Sequence, residues 1–382
     1  MHEHKQNQCK RKVKHRKNVM GLIIFCITVG IAFMFTYYQN LRKEISVRQK
    51  WLETVLTGEK KWILENQGPE GEIYMNGSKA GDVNPYFACM AALGLLAETE
   101  NCPMTETEKK AVGRYLDWHT GILLETDGKM GIYRKESGKL IYKEKADSED
   151  GYLGMYLFLM GKYLEKTEST DLPEYWKKGI SLALKKIQSL MQDGITQVSE
   201  ANTTAYLMDN LEVWKGLYVL ELAGLKDVQA ISEVRKKIQE QIEKIFWDDA
   251  NQRWRIIGNS DLYHQEEFYP DGVAQIYPLI YEFPVKEKKK QKILYDQFTE
   301  KFQWQKLNKK RTGFLWAMTG MAAAQMGDIN NLVELIGNYE TEYCENRKYP
   351  LYTGEAGWIC MECGKLYGLY ERKIKTGFIL CA

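Results

Sequence analysis

The chain has 382 residues, 44% of them hydrophobic and 27% charged, with a formal net charge of +2. That length holds a membrane anchor plus one large domain or two small ones. Residues 1–19 carry seven Lys/Arg and one acid, a net of +6, which leaves −4 for the remainder. So mildly acidic a body gives no reason to expect nucleic-acid binding.

The basic N-terminus is followed by an apolar run from Val19 to Tyr38. About twenty such residues suffice to cross a bilayer as a helix. The expectation is a cytoplasmic tail over residues 1–18, a single membrane span over 19–39 and an outward-facing domain over 40–382, because basic residues stay on the cytoplasmic side. A cleaved signal peptide is the rival reading, but the run is long and no small-x-small site follows it in Thr36-Tyr37-Tyr38-Gln39-Asn40. The protein is therefore expected in the cell membrane, with the bilayer among its partners.

Eight cysteines are present, six of them beyond the anchor, which permits disulfides outside the cell. Cys360-Met361-Glu362-Cys363 has redox or metal-like spacing, but it lies in an apolar helical run and reads as buried core thiols. Only His119 and His264 lie beyond the anchor, so a histidine-rich metal site or a Ser-His-Asp triad has little to draw on. No metal and no cofactor is expected.

Past the anchor, hydrophobic periodicity predicts twelve helices, near residues 42–66, 84–98, 105–122, 149–165, 173–192, 204–224, 228–246, 270–282, 285–303, 311–326, 328–345 and 355–371. Short pieces at Gly71–Tyr74, Gly131–Tyr133 and Arg253–Ile257 could form hairpins in loops. Odd-numbered helices are amphipathic and heavily charged. Even-numbered ones are apolar nearly all round, as in Phe87-Ala88-Cys89-Met90-Ala91-Ala92-Leu93-Gly94. A helix apolar on every side is buried on every side. The simplest packing is an all-α (α/α)6 barrel, with six inner helices wrapped by six outer ones. A helical solenoid would also alternate, but no fixed-length repeat is present.

Loops entering the even helices are long and rich in Gly, Asp, Asn and Tyr, which gathers the inner N-terminal ends around one mouth. The second inner helix opens with Asp147-Ser148-Glu149-Asp150-Gly151-Tyr152. Acids suit a helix N-terminus, so each could simply be a cap. The same layout recurs, however: Asp82 and Tyr86 at the first helix, Asp209 and Glu212 at the third, Tyr269 and Asp271 at the fourth, Trp316 at the fifth, Glu355 and Trp358 at the sixth. Asp209 and Glu212 lie three apart on one helix face, inside an apolar run where an acid is costly unless paired or used. A cleft of carboxylates and aromatics suits a sugar: rings stack on its apolar faces, and two carboxyls can cleave a glycosidic bond.

Twelve helices with these motifs resemble the six-hairpin glycosidase superfamily, and the motif order over about residues 45–375 is similar to glycoside hydrolase family 8 and its bacterial membrane-anchored relatives. Asp147-Ser148-Glu149-Asp150-Gly151-Tyr152 resembles that family's Asp-x-Thr-Asp element, which implies that Asp150 contacts substrate. Phe268-Tyr269-Pro270-Asp271-Gly272-Val273 resembles its Tyr-Asp-Ala-x-Arg element, which implies Asp271 as general base. Gly81-Asp82-Val83-Asn84-Pro85-Tyr86 stands where the family has its acid, which implies Asp82, with Glu72 and Glu212 as substitutes.

The resulting expectation is an inverting glycoside hydrolase acting on a polysaccharide. Asp271 and Asp82 would be catalytic; Asp150, Asp147, Asp209, Glu212, Tyr86, Tyr152, Tyr269, Trp316, Glu355 and Trp358 would hold substrate. An exopolysaccharide synthesis complex is a further candidate partner. The rivals are a glycan-binding or assembly protein on the same barrel, and a polysaccharide lyase or sugar epimerase.

Overall fold

The computed structural model describes residues 2–77, 81–136, 139–169, 172–225, 228–258, 260, 267–307 and 313–381, with the side chains of 2–19, 21, 22, 24, 228, 229 and 377–381 outside that description. It divides into two compact units, Met1–Trp51 with Tyr367–Ala382, and Leu52–Leu366.

In the first unit the N-terminal segment belongs to one continuous helix, and residues 367–381 are the end of the last helix. α1 runs His2–Glu65, so the expected span and the expected helix from residue 42 are one element. The junction, Gln39-Asn40-Leu41-Arg42, holds neither Pro nor Gly to stop it. Met20, Ile23, Phe25, Ile27, Val29, Ile31, Phe33 and Phe35 are all exposed along it. Among the described residues no helix is long and apolar enough to cross a membrane. Of the expected span, the side chains of Val19, Gly21, Leu22 and Ile24 lie outside the described set.

The second unit holds the rest of the helices: α2 (Pro85–Leu95), α3 (Glu106–Glu125), α4 (Glu149–Thr167), α5 (Glu174–Ser189), α6 (Leu207–Leu222), α7 (Val228–Phe246), α8 (Val273–Ile280), α9 (Lys288–Phe302), α10 (Thr319–Met326), α11 (Ile329–Tyr339) and the start of α12 (Thr353–Cys381). The even helices pack in succession, α2 on α4, α4 on α6, α6 on α8 and α8 on α10. α12 closes this inner ring, with Glu362 against Gly320 of α10 and Gly357 against α2. Each odd helix lies outside. α5 buries one stripe, Trp176, Gly179, Ile180, Ala183 and Ile187, at the spacing of a helix with one covered face. The outer ring is completed by the last turns of α1, through Lys60–Glu108 to α3 (3.1 Å) and through Tyr339, which donates to Glu59 (2.7 Å), to α11.

Small residues make the inner ring possible. A Cβ added to Gly216 would lie 2.3 Å from the carbonyl oxygen of Gly154, and one on Gly94 would lie 2.4 Å from Gly357 Cα. The neighbouring backbones therefore touch. Cys360 and Cys363 are free, fully buried thiols of α12.

Strands are confined to the loops. Among the described residues, β1 (Asp82–Val83), β2 (Gly131–Glu136) and β3 (Lys139–Lys145) form one antiparallel sheet. β4 (Met191–Gln192) pairs with β5 (Ile195–Thr196), and β6 (Trp247–Asp248) with β7 (Arg253–Trp254). The stretch at Gly71–Tyr74 makes only an isolated bridge, Gln67 to Ile73. α8 and α10 start later than periodicity suggests. A single wide turn, Phe268–Gly272, precedes α8, and residues 308–312 lie outside the described set.

The glycine contacts give a direct test. In Gly357→Ala the new Cβ would stand 2.1 Å from the Met90 carbonyl oxygen, whereas Gly337 of α11 has nothing within 4 Å. We expect Gly357→Ala to lose about 1–3 kcal/mol of stability, as overpacked cores do. Gly337→Ala should be neutral or stabilising, since alanine is the better helix former. Thermal denaturation of the two variants checks both, and equal melting temperatures would show that the inner helices are not in backbone contact.

Candidate active site

All six inner N-terminal ends contribute to one cavity of about 260 Å³. α2 brings Asn84, Tyr86, Phe87 and Met90; α4 brings Asp147, Ser148 and Tyr152; α6 brings Met208, Asp209 and Glu212. Tyr269 and Tyr277 come from the α8 region, Phe314, Trp316 and Met318 from the approach to α10, and Glu355 and Trp358 from α12. Local sequence explains the placements. Asn84 caps α2 by accepting from the Tyr86 N–H (2.9 Å), and Pro85 takes the first helical position, where no N–H is needed. Ser148 caps α4, accepting from the Gly151 N–H (3.3 Å), which leaves Asp147 exposed at the rim and turns Asp150 inward.

Glu212 is gripped by three phenols. Its Oε1 accepts from the hydroxyls of Tyr86 (2.5 Å) and Tyr277 (2.6 Å), and the Tyr281 hydroxyl lies 3.2 Å from the same oxygen. All three phenols are held far above their ordinary pKa, by burial first, so they remain donors. Burial pushes Glu212 up to about 7, against the three phenols, which favour its charged form. Its Oε2 faces the other way. A Cβ built on Gly151 would lie 2.9 Å from Glu212 Oε2, 3.0 Å from Ser148 Oγ and 3.5 Å from Asp209 Oδ1. The two carboxyls and the Ser148 hydroxyl thus close over Gly151, where no side chain would fit.

Behind them, Ser148 Oγ lies 2.8 Å from Asp150 Oδ1 and 2.8 Å from Asp209 Oδ2. A serine has one proton to donate, so only one of these contacts is a serine-to-carboxylate bond; the other requires a carboxyl proton. The pKa directions agree: burial raises Asp150 to about 6 despite hydrogen bonds from Thr196 and Ser148. Asp209 is raised well above the carboxylate range, by burial first and then by the charges of Asp150 and Glu212.

Glu355 is buried and also pushed up to about 7 by burial, even though three backbone N–H groups, of Ala317, Trp316 and Leu315, hold its carboxylate. Trp316, whose φ is 58°, turns its ring to Tyr269 with centroids 4.7 Å apart. Tyr152 packs beside Tyr86, centroids 5.5 Å apart.

Four of the expected residues, counting the substitute acid Glu72, do not line this cavity. Asp82 sits in β1, where Oδ1 accepts from Arg134 Nε (2.6 Å) and Oδ2 from Lys143 Nζ (2.8 Å). Arg134 chiefly holds its pKa down, the opposite of what a proton donor needs. Asp271 is turned away by the wide turn before α8. It pairs with Arg253 (3.2 Å) in a separate depression that also includes Gln275. Gln275 itself clamps β7, accepting from the Trp254 N–H (2.8 Å) and donating to the Trp254 carbonyl (3.0 Å). Asp150 is fully buried behind the cavity wall, bound to Ser148 and to Thr196 Oγ1 (2.7 Å). Glu72 is likewise buried, accepting from the Tyr74 hydroxyl (2.8 Å). Tyr277 and Tyr281 were not singled out from the sequence. Their signal was available: two tyrosines four apart in an apolar helix need partners for their hydroxyls.

No protein-family model and no curated protein matches the chain. Solved structures do. A glycosidase aligns with a TM-score of 0.62 at 12% identity, covering 85% of this chain and 99% of that one. The glycoside hydrolase family 76 mannosidase of Bacteroides thetaiotaomicron aligns at 0.51 and 10%, covering 84% and 99%. A D-mannose isomerase aligns at 0.53 and 12%, covering 83% and 97%. At these identities the shared feature is the fold, a helical toroid of six hairpins.

The burial of Glu212 has a measurable consequence. Burial holds its folded pKa at about 7, above the ordinary 4.5 of a glutamate, so the native state holds the proton more tightly. That contribution to stability is complete below pH 4.5 and is lost as pH rises through about 7. In Glu212→Gln the fall between those limits should be shallower by up to about 1.4 kcal/mol per pH unit. Urea denaturation across that range checks it, and parallel curves for wild type and variant would mean Glu212 titrates normally.

Proposed function

We propose that the protein is a membrane-anchored glycoside hydrolase, with the cavity as its active site and a polysaccharide outside the cell or in its envelope as substrate. The single observation that carries this reading is the gathering of Asp147, Asp209 and Glu212 with a wall of aromatic rings in one cavity. Rings stack on sugar faces, and paired carboxyls supply the acid and base that glycosidic cleavage needs. Glu212 is the general acid. The tyrosines hold Oε1, so the proton sits on Oε2 of a residue that lines the cavity, and a pKa near 7 suits a donor at neutral pH. Asp147, exposed at the rim, is the base that activates water. Asp209 binds substrate hydroxyls. Asp82 and Asp271, committed to ion pairs outside the cavity, have no part in this scheme.

The apolar residues exposed from Met20 to Phe35 on α1 support the anchor, since a helix uncovered on all sides needs an apolar surrounding. The basic residues before them support a cytoplasmic N-terminus.

Reducing-end release from a panel of β-glucans, mannans, xylan and chitosan by the detergent-solubilised full chain tests the activity. Glu212→Gln and Asp147→Asn should each lower kcat by about 10²–10⁴, while Asp82→Asn and Asp271→Asn retain most of it. Full activity in Glu212→Gln would sink the assignment. Binding without release would favour a glycan-binding protein, and an unsaturated or epimerised product a lyase or epimerase. The anomer formed separates mechanisms: inversion goes with carboxyls about 6.5–9.5 Å apart, retention with about 5–5.5 Å. Cell fractionation tests the anchor. The full chain should sediment with membranes and a chain lacking residues 1–44 should not; a full chain in the soluble fraction removes the anchor from the proposal.

A further inference from the structure

We propose that Glu355 is a positioning residue: it binds no sugar itself but holds Trp316 across the cavity as the stacking platform for the glycan. This rests on the glycosidase reading above. Both oxygens of Glu355 are engaged by backbone. Oε1 accepts from the N–H groups of Leu315 (3.1 Å) and Trp316 (3.1 Å), and Oε2 accepts from that of Ala317 (2.9 Å). Three successive N–H groups converging on one point form a concave anion seat. Here a carboxylate of the chain's own α12 fills it, so a charged group of the substrate does not.

The loop this carboxylate gathers is one the chain would not otherwise adopt. Trp316 has φ 58°, in the left-handed region that a bulky residue rarely enters. Such a conformation persists only where the surroundings over-determine it. The surroundings are visible. Glu355 holds the three amides, and the Trp316 carbonyl accepts from Thr319 Oγ1 (2.7 Å) and the Thr319 N–H (3.0 Å). The result is an indole that lines the cavity, tilted 36° to the Tyr269 ring. Glutamine at 355 can replace one accepting oxygen but not both. Its amide would set a donor against a backbone donor, so the loop is released while the side-chain volume is kept.

The test uses the solubilised full chain and needs no known ligand for its first arm. The Trp316 contribution to fluorescence is isolated by subtracting Trp316→Phe from its parent, in wild-type and Glu355→Gln backgrounds. Acrylamide quenching of that component should rise severalfold in Glu355→Gln while the melting temperature stays within a few degrees. Unchanged quenching in a folded Glu355→Gln protein overturns the proposal. If that variant does not fold, Glu355→Asp, which keeps the charge and shortens the reach, should show intermediate quenching, and wild-type quenching there overturns it equally. The second arm uses the polymer hydrolysed best in the panel above. Glu355→Gln and Trp316→Ala should each raise KM about tenfold, the scale of one stacking contact, with kcat within twofold and the double variant no worse than either single. A fall in kcat with KM unmoved would place Glu355 in the chemistry and overturn a positioning role. Should wild type hydrolyse no polymer, the glycosidase reading fails and the quenching arm alone decides the role of Glu355.

Discussion

Backbone contact between the inner helices is the constraint on which the rest of this protein depends. Six helices can converge on one axis at close quarters only where side chains are absent at the crossings. Gly154 and Gly216 between α4 and α6, and Gly94 and Gly357 between α2 and α12, supply those gaps. Once the ring is this tight, the six N-terminal ends have no room to spread, and whatever residues open the helices share one small, poorly hydrated space. A cavity full of acids is thus a consequence of packing as much as of sequence.

Desolvation then sets the chemistry. In water Asp150, Asp209 and Glu212 would all be ionised near neutral pH. In the mouth of the toroid burial pushes each of them upward. The chain answers with donors: Ser148 and Thr196 for Asp150, and three phenols for Glu212. Glu355 meets the same burial with three backbone amides. One environment therefore gives acids of different character, a proton held in place at Glu212 and an anchored loop at Glu355. Asp82, by contrast, lies among Arg134 and Lys143 and is held charged.

How far the site could be read from the chain depends on what fixed each residue. Asp147, Asp209, Glu212, Tyr86, Tyr152, Tyr269, Trp316, Glu355 and Trp358 open inner helices, and helix ends are written locally in caps and apolar runs, so position alone brought them to one mouth. Asp82 and Asp271 satisfied the same rule but found basic partners. Arg134 and Lys143 reach Asp82 from a hairpin 52 and 61 residues further along the chain, and the wide turn over Phe268–Gly272 sends Asp271 toward Arg253. Tyr277 was hidden for the converse reason. It lies inside an apolar helix, where its spacing from Tyr281 calls for a hydroxyl partner but nothing local shows that the partner is Glu212.

By itself, then, the sequence determined the helices, their alternation between buried and half-covered, the loops that lengthen on one face, and the apolar, basic-flanked start of α1. All of these follow from periodicity and composition within a few turns of chain. Only the tertiary structure decided which acids face the cavity and which are neutralised at its edge, which hydroxyls hold Glu212, and that the oxygens of Glu355 are turned to backbone. Those outcomes depend on the rotation of each helix about its axis and on partners brought from distant loops, and neither is encoded in any single stretch of residues.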